Sequence, residues 1–151
     1  MIALIQRVTR ASVTVDDACI AAINAGILVF LGVEKGDNQH CAGKIVHKIL
    51  NYRIFADNEG KMNLSLLAVN AQLLVVPQFT LAANTTKGLR PGFSTAASPE
   101  LGLERFTQVV DIMRQQGERL LPENWLQTGQ FGADMAVELV NDGPVTFLLK
   151  I

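Results

Sequence analysis

The sequence predicts an α+β fold: a mainly antiparallel β-sheet, curved or closed into a barrel-like body, with two principal helices. Three observations carry this. Apolar runs of strand length recur along the chain, and several alternate with polar residues. Only two segments show the 3.6-residue periodicity of an amphipathic helix. No linker, repeat or low-complexity tract interrupts the 151 residues, so one domain, 1–151, is expected.

Met1 to Thr9 reads as a first strand, with Leu4, Gln6 and Val8 opposite Ile5 and Arg7. Ala11 to Val15 alternates, Val13 and Val15 apolar against Ser12 and Thr14, as a half-buried strand should. Asp16-Asp17 is a turn into Cys19 to Ile23. The unbroken apolar run Ile27 to Val33 suits a strand buried on both faces. Ala42, Ile45, Val46, Ile49 and Leu50 then follow the i, i+3, i+4, i+7, i+8 pattern of a helix whose start Asp37 or Asn38 could cap. Tyr52 to Ala56 reads as a strand ended by the turn Asp57-Asn58-Glu59-Gly60. Ala71 to Val76 is a buried strand expected to run on into Gln78-Phe79-Thr80.

From Ala83 to Ala97 the chain is polar and broken by Gly88, Pro91 and Gly92, a loop long enough to suggest a function. Ser98 and Pro99 open the second helix as N-cap and first helical residue. Phe106, Val109, Val110 and Met113 form its inward stripe, and Gly117 ends it. Ala133 to Val140 and Val145 to Ile151 read as a closing hairpin around a Gly-Pro turn. The apolar Phe147-Leu148-Leu149 needs cover, and a second subunit is one source.

Composition narrows the function classes. An apolar fraction of 49% supports a substantial core. Thirteen Lys and Arg against fourteen Asp and Glu give a net charge of −1, not the strong basic excess common in nucleic-acid binders, although a local basic patch would suffice. Cys19 and Cys41 fit no metal-ligand or disulfide framework. No signal peptide is visible, and no apolar run reaches the ~18 residues of a membrane helix. A cytoplasmic protein with no membrane association is the expectation.

Two runs stand out chemically. In Asn141-Asp142-Gly143-Pro144-Val145-Thr146 the Gly-Pro step could adopt a cis peptide, which costs X-Pro only about 0.5–1 kcal/mol against roughly 2.5–4 elsewhere. Two carbonyls pointing one way would form a stiff wall with no side chain to move. Pro77-Gln78-Phe79-Thr80-Leu81 follows a buried strand, and the two runs are expected to face each other across an active site.

With these runs the chain resembles the D-aminoacyl-tRNA deacylases over nearly its full length. The likeness begins with Met1-Ile2-Ala3-Leu4-Ile5-Gln6-Arg7-Val8 and Ala11-Ser12-Val13. It continues through Leu31-Gly32-Val33, Tyr52-Arg53-Ile54-Phe55 and Lys61-Met62-Asn63-Leu64. Its specific signals are Gln-Phe-Thr-Leu and Asn-Asp-Gly-Pro-Val-Thr. The resemblance implies a cytoplasmic homodimeric editing enzyme that hydrolyses the ester joining a D-amino acid, or glycine, to the 3'-terminal adenosine of tRNA. It implies that Gly143 and Pro144, as a Gly-cis-Pro step, enter the partner subunit's site and reject L-amino acids sterically. Two departures stand in this chain: Pro77 where the family usually carries serine, and Pro91-Gly92-Phe93 in place of Pro-Ser-Phe.

Ester hydrolysis passes through a tetrahedral oxyanion, which backbone amides can stabilise. Pro77 has no N–H, so the candidates are Gln78, Phe79 and Thr80, with the Gln78 side chain free to hold the ester or ribose. Thr80 is the tempting nucleophile but needs a base, and His40 and His47 fall on or beside the first helix. The resemblance points instead to assistance from the tRNA 2'-hydroxyl, with no cofactor and no metal. Phe131 and Met135 resemble the family's adenine-side residues, though packing would equally account for them. Arg7 could brace the Gly-Pro loop or meet phosphate. Lys44, Lys48, Lys87 and Arg90 are candidates for tRNA backbone contact. Two other readings stay open: a Thr80-dependent hydrolase of small esters, and a noncatalytic tRNA-end binding protein.

Overall fold

A computed structural model describes residues 1–86, 88–118 and 120–151. Its spine is β1 (Ile2–Val15), a single long strand where the sequence suggested two. One edge of β1 is shared. Its first half pairs antiparallel with β3 (Gly26–Gly32), Ile5 opposite Val29, and its second half with β2 (Ala18–Ile23), Val13 opposite Ala21. The other edge pairs along nearly its whole length with β8 (Ala136–Lys150). The predicted terminal hairpin is therefore incorrect. The Gly-Pro segment does not turn the chain back; it interrupts one continuous fifteen-residue strand.

The sheet extends from β3 through β6 (Gln72–Pro77) to β7 (Leu126–Thr128), and both of these pairings are parallel. This suits the near-continuous burial of β3 and β6, since parallel strands are covered on both faces. Strong coiling brings the sheet close to a closed barrel, as expected.

Two cores lie on opposite faces of the sheet. Leu28, Leu74 and Val76 turn into the barrel with Val13 and Ala21. Ile27, Val29, Leu73 and Val75 turn outward against α1 (Gln39–Asn51) and α3 (Pro99–Gly117). On β1, odd-numbered Ala3 and Ile5 face the helices, yet odd-numbered Val13 faces the barrel. The switch is a bulge. Val8 pairs with Asn141 and Arg10 with Val140, so Thr9 is an extra residue that inverts the alternation.

The helices start as the sequence indicates. Asn38 caps α1 by accepting from the Cys41 amide at 3.1 Å, and Ser98 caps α3 by accepting from Leu101 at 3.3 Å. Between β3 and β6 the chain departs from expectation. Only Phe55–Ala56 of the predicted Tyr52–Ala56 strand is extended in a sheet, as β4, and it pairs with β5 (Met62–Leu64) across the Asp57 turn. A one-turn helix, α2 (Leu66–Val69), follows. The Met1 α-ammonium is buried against Asp37 Oδ1 at 2.6 Å and Glu34 Oε2 at 3.1 Å, tying the start of β1 to the end of β3. Among the described residues no helix is long and apolar enough to cross a membrane.

Candidate active-site cleft

A cleft of about 470 Å³ opens where β3 and β6 end and α3 begins. Leu31 and Val33 contribute from the β3 end, Pro77, Gln78 and Phe79 from the β6 end, and Ser98 and Gly102 from the start of α3. The opposite wall is the segment Phe131–Met135. The volume and the mostly apolar lining fit a small-ligand site. Four predicted residues thus meet here: Gln78, Phe79, Phe131 and Met135. Phe131 is held by Phe106, ring centroids 6.2 Å apart. Met135 packs against the barrel core. Among the described residues Asp134 is the one carboxylate lining the cleft, in a segment where this residue had no predicted role.

The predicted strand through Gln78-Phe79-Thr80 is incorrect. After Pro77 the chain tightens into a 3-10 turn, Phe79–Ala82. Gly32 permits this: a Cβ there would stand 2.9 Å from the Leu81 Cβ and 3.1 Å from the Gln78 carbonyl oxygen, so the turn can rest on the end of β3 only because glycine is present. The turn also sorts the amides. That of Gln78 donates to Leu31 at 2.8 Å and is committed to the sheet. The Phe79 and Thr80 amides open the turn, where the first N–H groups have no partner within the helix. Among the described residues neither has an acceptor. Pro77 falls where it does no harm. The Gln78 amide points to β3, so a residue-77 amide would point to the β7 side, where pairing ends at Val75 opposite Thr128. The Thr80 hydroxyl does not line the cleft; it accepts a hydrogen bond from Gln78 Nε2 at 2.7 Å.

Arg7, Gly143 and Pro144 do not line this cleft, contrary to a simple face-to-face arrangement within one chain. They form a second group on the β1–β8 pair. Gln6 pairs with Thr146 and Val8 with Asn141, so Asp142 to Val145 bulge out against Arg7 alone. The Gly143–Pro144 peptide is cis, and Gly143 sits at φ +133°. Asn141 closes the bulge: its Oδ1 accepts from the Val145 amide at 2.7 Å and its Nδ2 donates to Thr146 Oγ1 at 2.9 Å. Arg7 braces it. Its Nε donates to the Asp142 carbonyl at 3.2 Å and pairs with the Asp142 carboxylate at 3.0 Å, while Nη1 donates to the Ile54 carbonyl at 2.6 Å. Of the two roles considered for Arg7, the bracing contacts are the ones present. Asn141 had no predicted role; its place at the head of the Asn-Asp-Gly-Pro run, where an Asn side chain can bond its own backbone a few residues on, was the available signal.

Lys44 and Lys48 lie on α1 with His40 and His47, around a shallow surface depression that also touches Ile151. Arg90 is exposed on the 83–97 loop, and Lys87 lies outside the described residues.

A family model described as D-Tyr-tRNA(Tyr) deacylase matches residues 4–150. The chain belongs to this family. D-aminoacyl-tRNA deacylases similar to it include that of Shewanella frigidimarina (strain NCIMB 400), 57% identical over 151 residues and covering all of both chains. Another, from Xanthomonas oryzae pv. oryzae (strain MAFF 311018), is 54% identical over 150 residues, 99% of each. A solved structure described as a c-Myc DNA unwinding element binding protein superposes with a TM-score of 0.93 at 39% identity, covering 100% of this chain and 99% of that one. A probable eukaryotic D-amino acid tRNA deacylase shares the fold, with a TM-score of 0.83 at 17% identity, covering 99% and 98%. Membership of the deacylase family makes the chain a hydrolase, and the family name and its relatives support D-aminoacyl-tRNA deacylase activity.

Proposed function

We propose that the protein edits tRNA by hydrolysing D-aminoacyl and glycyl esters at the 3'-terminal adenosine, with the cleft as its catalytic centre. The observation that carries this is the pair of acceptor-free amides, Phe79 and Thr80, opening a 3-10 turn at the edge of the cleft. Adjacent amides of this kind suit the oxyanion of a tetrahedral intermediate, where losing one donor typically costs ~10²–10³ in rate. Water adds to the ester carbonyl carbon, the amides hold the negative oxygen, and the bond to the ribose oxygen breaks. The proton lost by the water reaches that leaving oxygen with the help of the neighbouring 2'-hydroxyl, giving free D-amino acid and tRNA. Gln78 orients the ester or ribose. Phe131 and Met135 take the adenine.

Chirality is read by a second copy of the chain. The Gly143–Pro144 bulge lies outside its own cleft, is exposed, and is braced by Arg7, which suits a wall lent to a partner. An L side chain would strike its carbonyls, a D side chain would point away, and glycine would have nothing to clash. Among the described residues β8 pairs only with β1, and its free edge carries Leu148 at 63% exposure. Pairing or covering such an edge is a recurrent solution, which supports the homodimer. A cytoplasmic site and a tRNA partner follow from this reading.

Purified protein is to be assayed with matched D-tyrosyl-, L-tyrosyl- and glycyl-tRNA. Hydrolysis of the D and glycyl esters with the L ester spared is expected. Equal hydrolysis of the L ester would overturn the chiral filter. Cleavage of small esters without RNA would favour the Thr80-dependent hydrolase, and binding without turnover the noncatalytic module.

A further inference from the structure

We infer that Phe79 and Phe93 form an aromatic platform, at the mouth of the cleft, on which the nucleobase preceding the terminal adenosine stacks; the inference rests on the deacylase reading above. Phe79 lines the cleft but is 63% exposed, and Phe93 is 43% exposed. Their rings lie 5.3 Å apart at 49°. Exposed aromatic faces beside a cleft have a ready use when the ligand continues past it, because every base offers a π-face.

The platform is fixed. Asn84 and Gly92 exchange backbone hydrogen bonds of 2.7 and 3.0 Å across the loop. Lys35 donates to the Thr95 carbonyl at 3.1 Å, and Ala97 to that of Val33 at 3.0 Å, so the segment bearing Phe93 is pinned to the end of β3. Charge points to the same occupant. No Asp or Glu occurs between Glu59 and Glu100, a stretch that supplies Phe79, Phe93 and the exposed Arg90. The stretch itself therefore places no carboxylate against a phosphodiester backbone, and Arg90 adds a positive charge.

The test compares three D-aminoacyl esters: full tRNA, the same acceptor stem with an abasic penultimate nucleotide, and adenosine alone. Phe93→Ala is expected to lower kcat/KM on full tRNA roughly 5- to 150-fold, the usual worth of one base–aromatic stack. It should leave the abasic and adenosine esters unchanged, with the loss mainly in KM. Phe93→Trp should restore full-tRNA activity and Phe93→Leu should not. An equal loss on all three esters, no loss on full tRNA, or a Phe93→Ala shift in the monomer–dimer equilibrium would overturn the platform. Wild-type protein inactive on both tRNA and adenosine esters would instead overturn the deacylase reading.

Discussion

Replacing Arg7 by alanine removes the guanidinium that braces the Asp142–Val145 bulge. Two losses add. The Ile54 carbonyl loses its 2.6 Å donor in a residue that is itself fully buried, and an unsatisfied buried acceptor costs about 1–3 kcal/mol. The pair with Asp142 is weaker, because that carboxylate is half exposed and rehydrates; about 0–1 kcal/mol is its usual worth. Arg7→Ala should therefore destabilise the fold by about 1–4 kcal/mol, and Asp142→Asn by no more than about 1 kcal/mol. Urea denaturation of the two variants beside wild type measures both. The second readout is selectivity. A slackened bulge should admit L-aminoacyl ester, so the D-to-L ratio of kcat/KM falls in Arg7→Ala while single-turnover D hydrolysis survives. An Arg7→Ala loss below about 0.5 kcal/mol, the level of an ordinary surface change, would refute the bracing role. An unchanged D-to-L ratio would refute its link to chirality.

Gly32→Ala should force the 3-10 turn off the end of β3. Overpacking of this kind costs about 1–3 kcal/mol, and deacylation should fall further than stability does, read as kcat against the denaturation midpoint. Thr80→Ala should retain substantial activity, since the backbone amide remains and the hydroxyl only accepts from Gln78; complete loss in single turnover with an intact fold would make Thr80 the nucleophile. Glu34 gives a pH signature. Burial pushes its carboxyl up, but the hydrogen bond and charge of the Met1 ammonium, with Lys150, outweigh that and hold it below its ordinary 4.5. Its contribution is therefore complete above the unfolded value and lost as pH falls through the folded one. The stability gap between wild type and Glu34→Gln should stay constant above about pH 5 and shrink below it, as followed by denaturant titration at stepped pH.

The sequence made the helices legible because their signals are local. Asn38, Ser98 and Pro99 mark starts, and the stripes on α1 and α3 mark the buried faces. The cleft was half legible for a similar reason: Gln78, Phe79, Phe131 and Met135 sit in short recognisable runs and do come together. What was hidden depends on partners distant in sequence. Nothing near Gly143 says that β8 continues past it, because the strand's continuity comes from β1, more than a hundred residues earlier. Nor does Phe79-Thr80 announce a 3-10 turn, since both residues suit strands and the space for the turn is supplied by Gly32. Pro77 was informative in a limited way: it excluded one amide, and the geometry then excluded that of Gln78 as well.

The extra residue at Thr9 lets one strand anchor two hydrophobic interiors, Ala3 and Ile5 in the first and Val8, Ala11 and Val13 in the second. Neither interior can melt alone, because detaching β1 from either strips the other of its central strand. Heat should therefore undo both together, with coincident transitions by fluorescence of Trp125 in the helix-side interior and by far-ultraviolet dichroism.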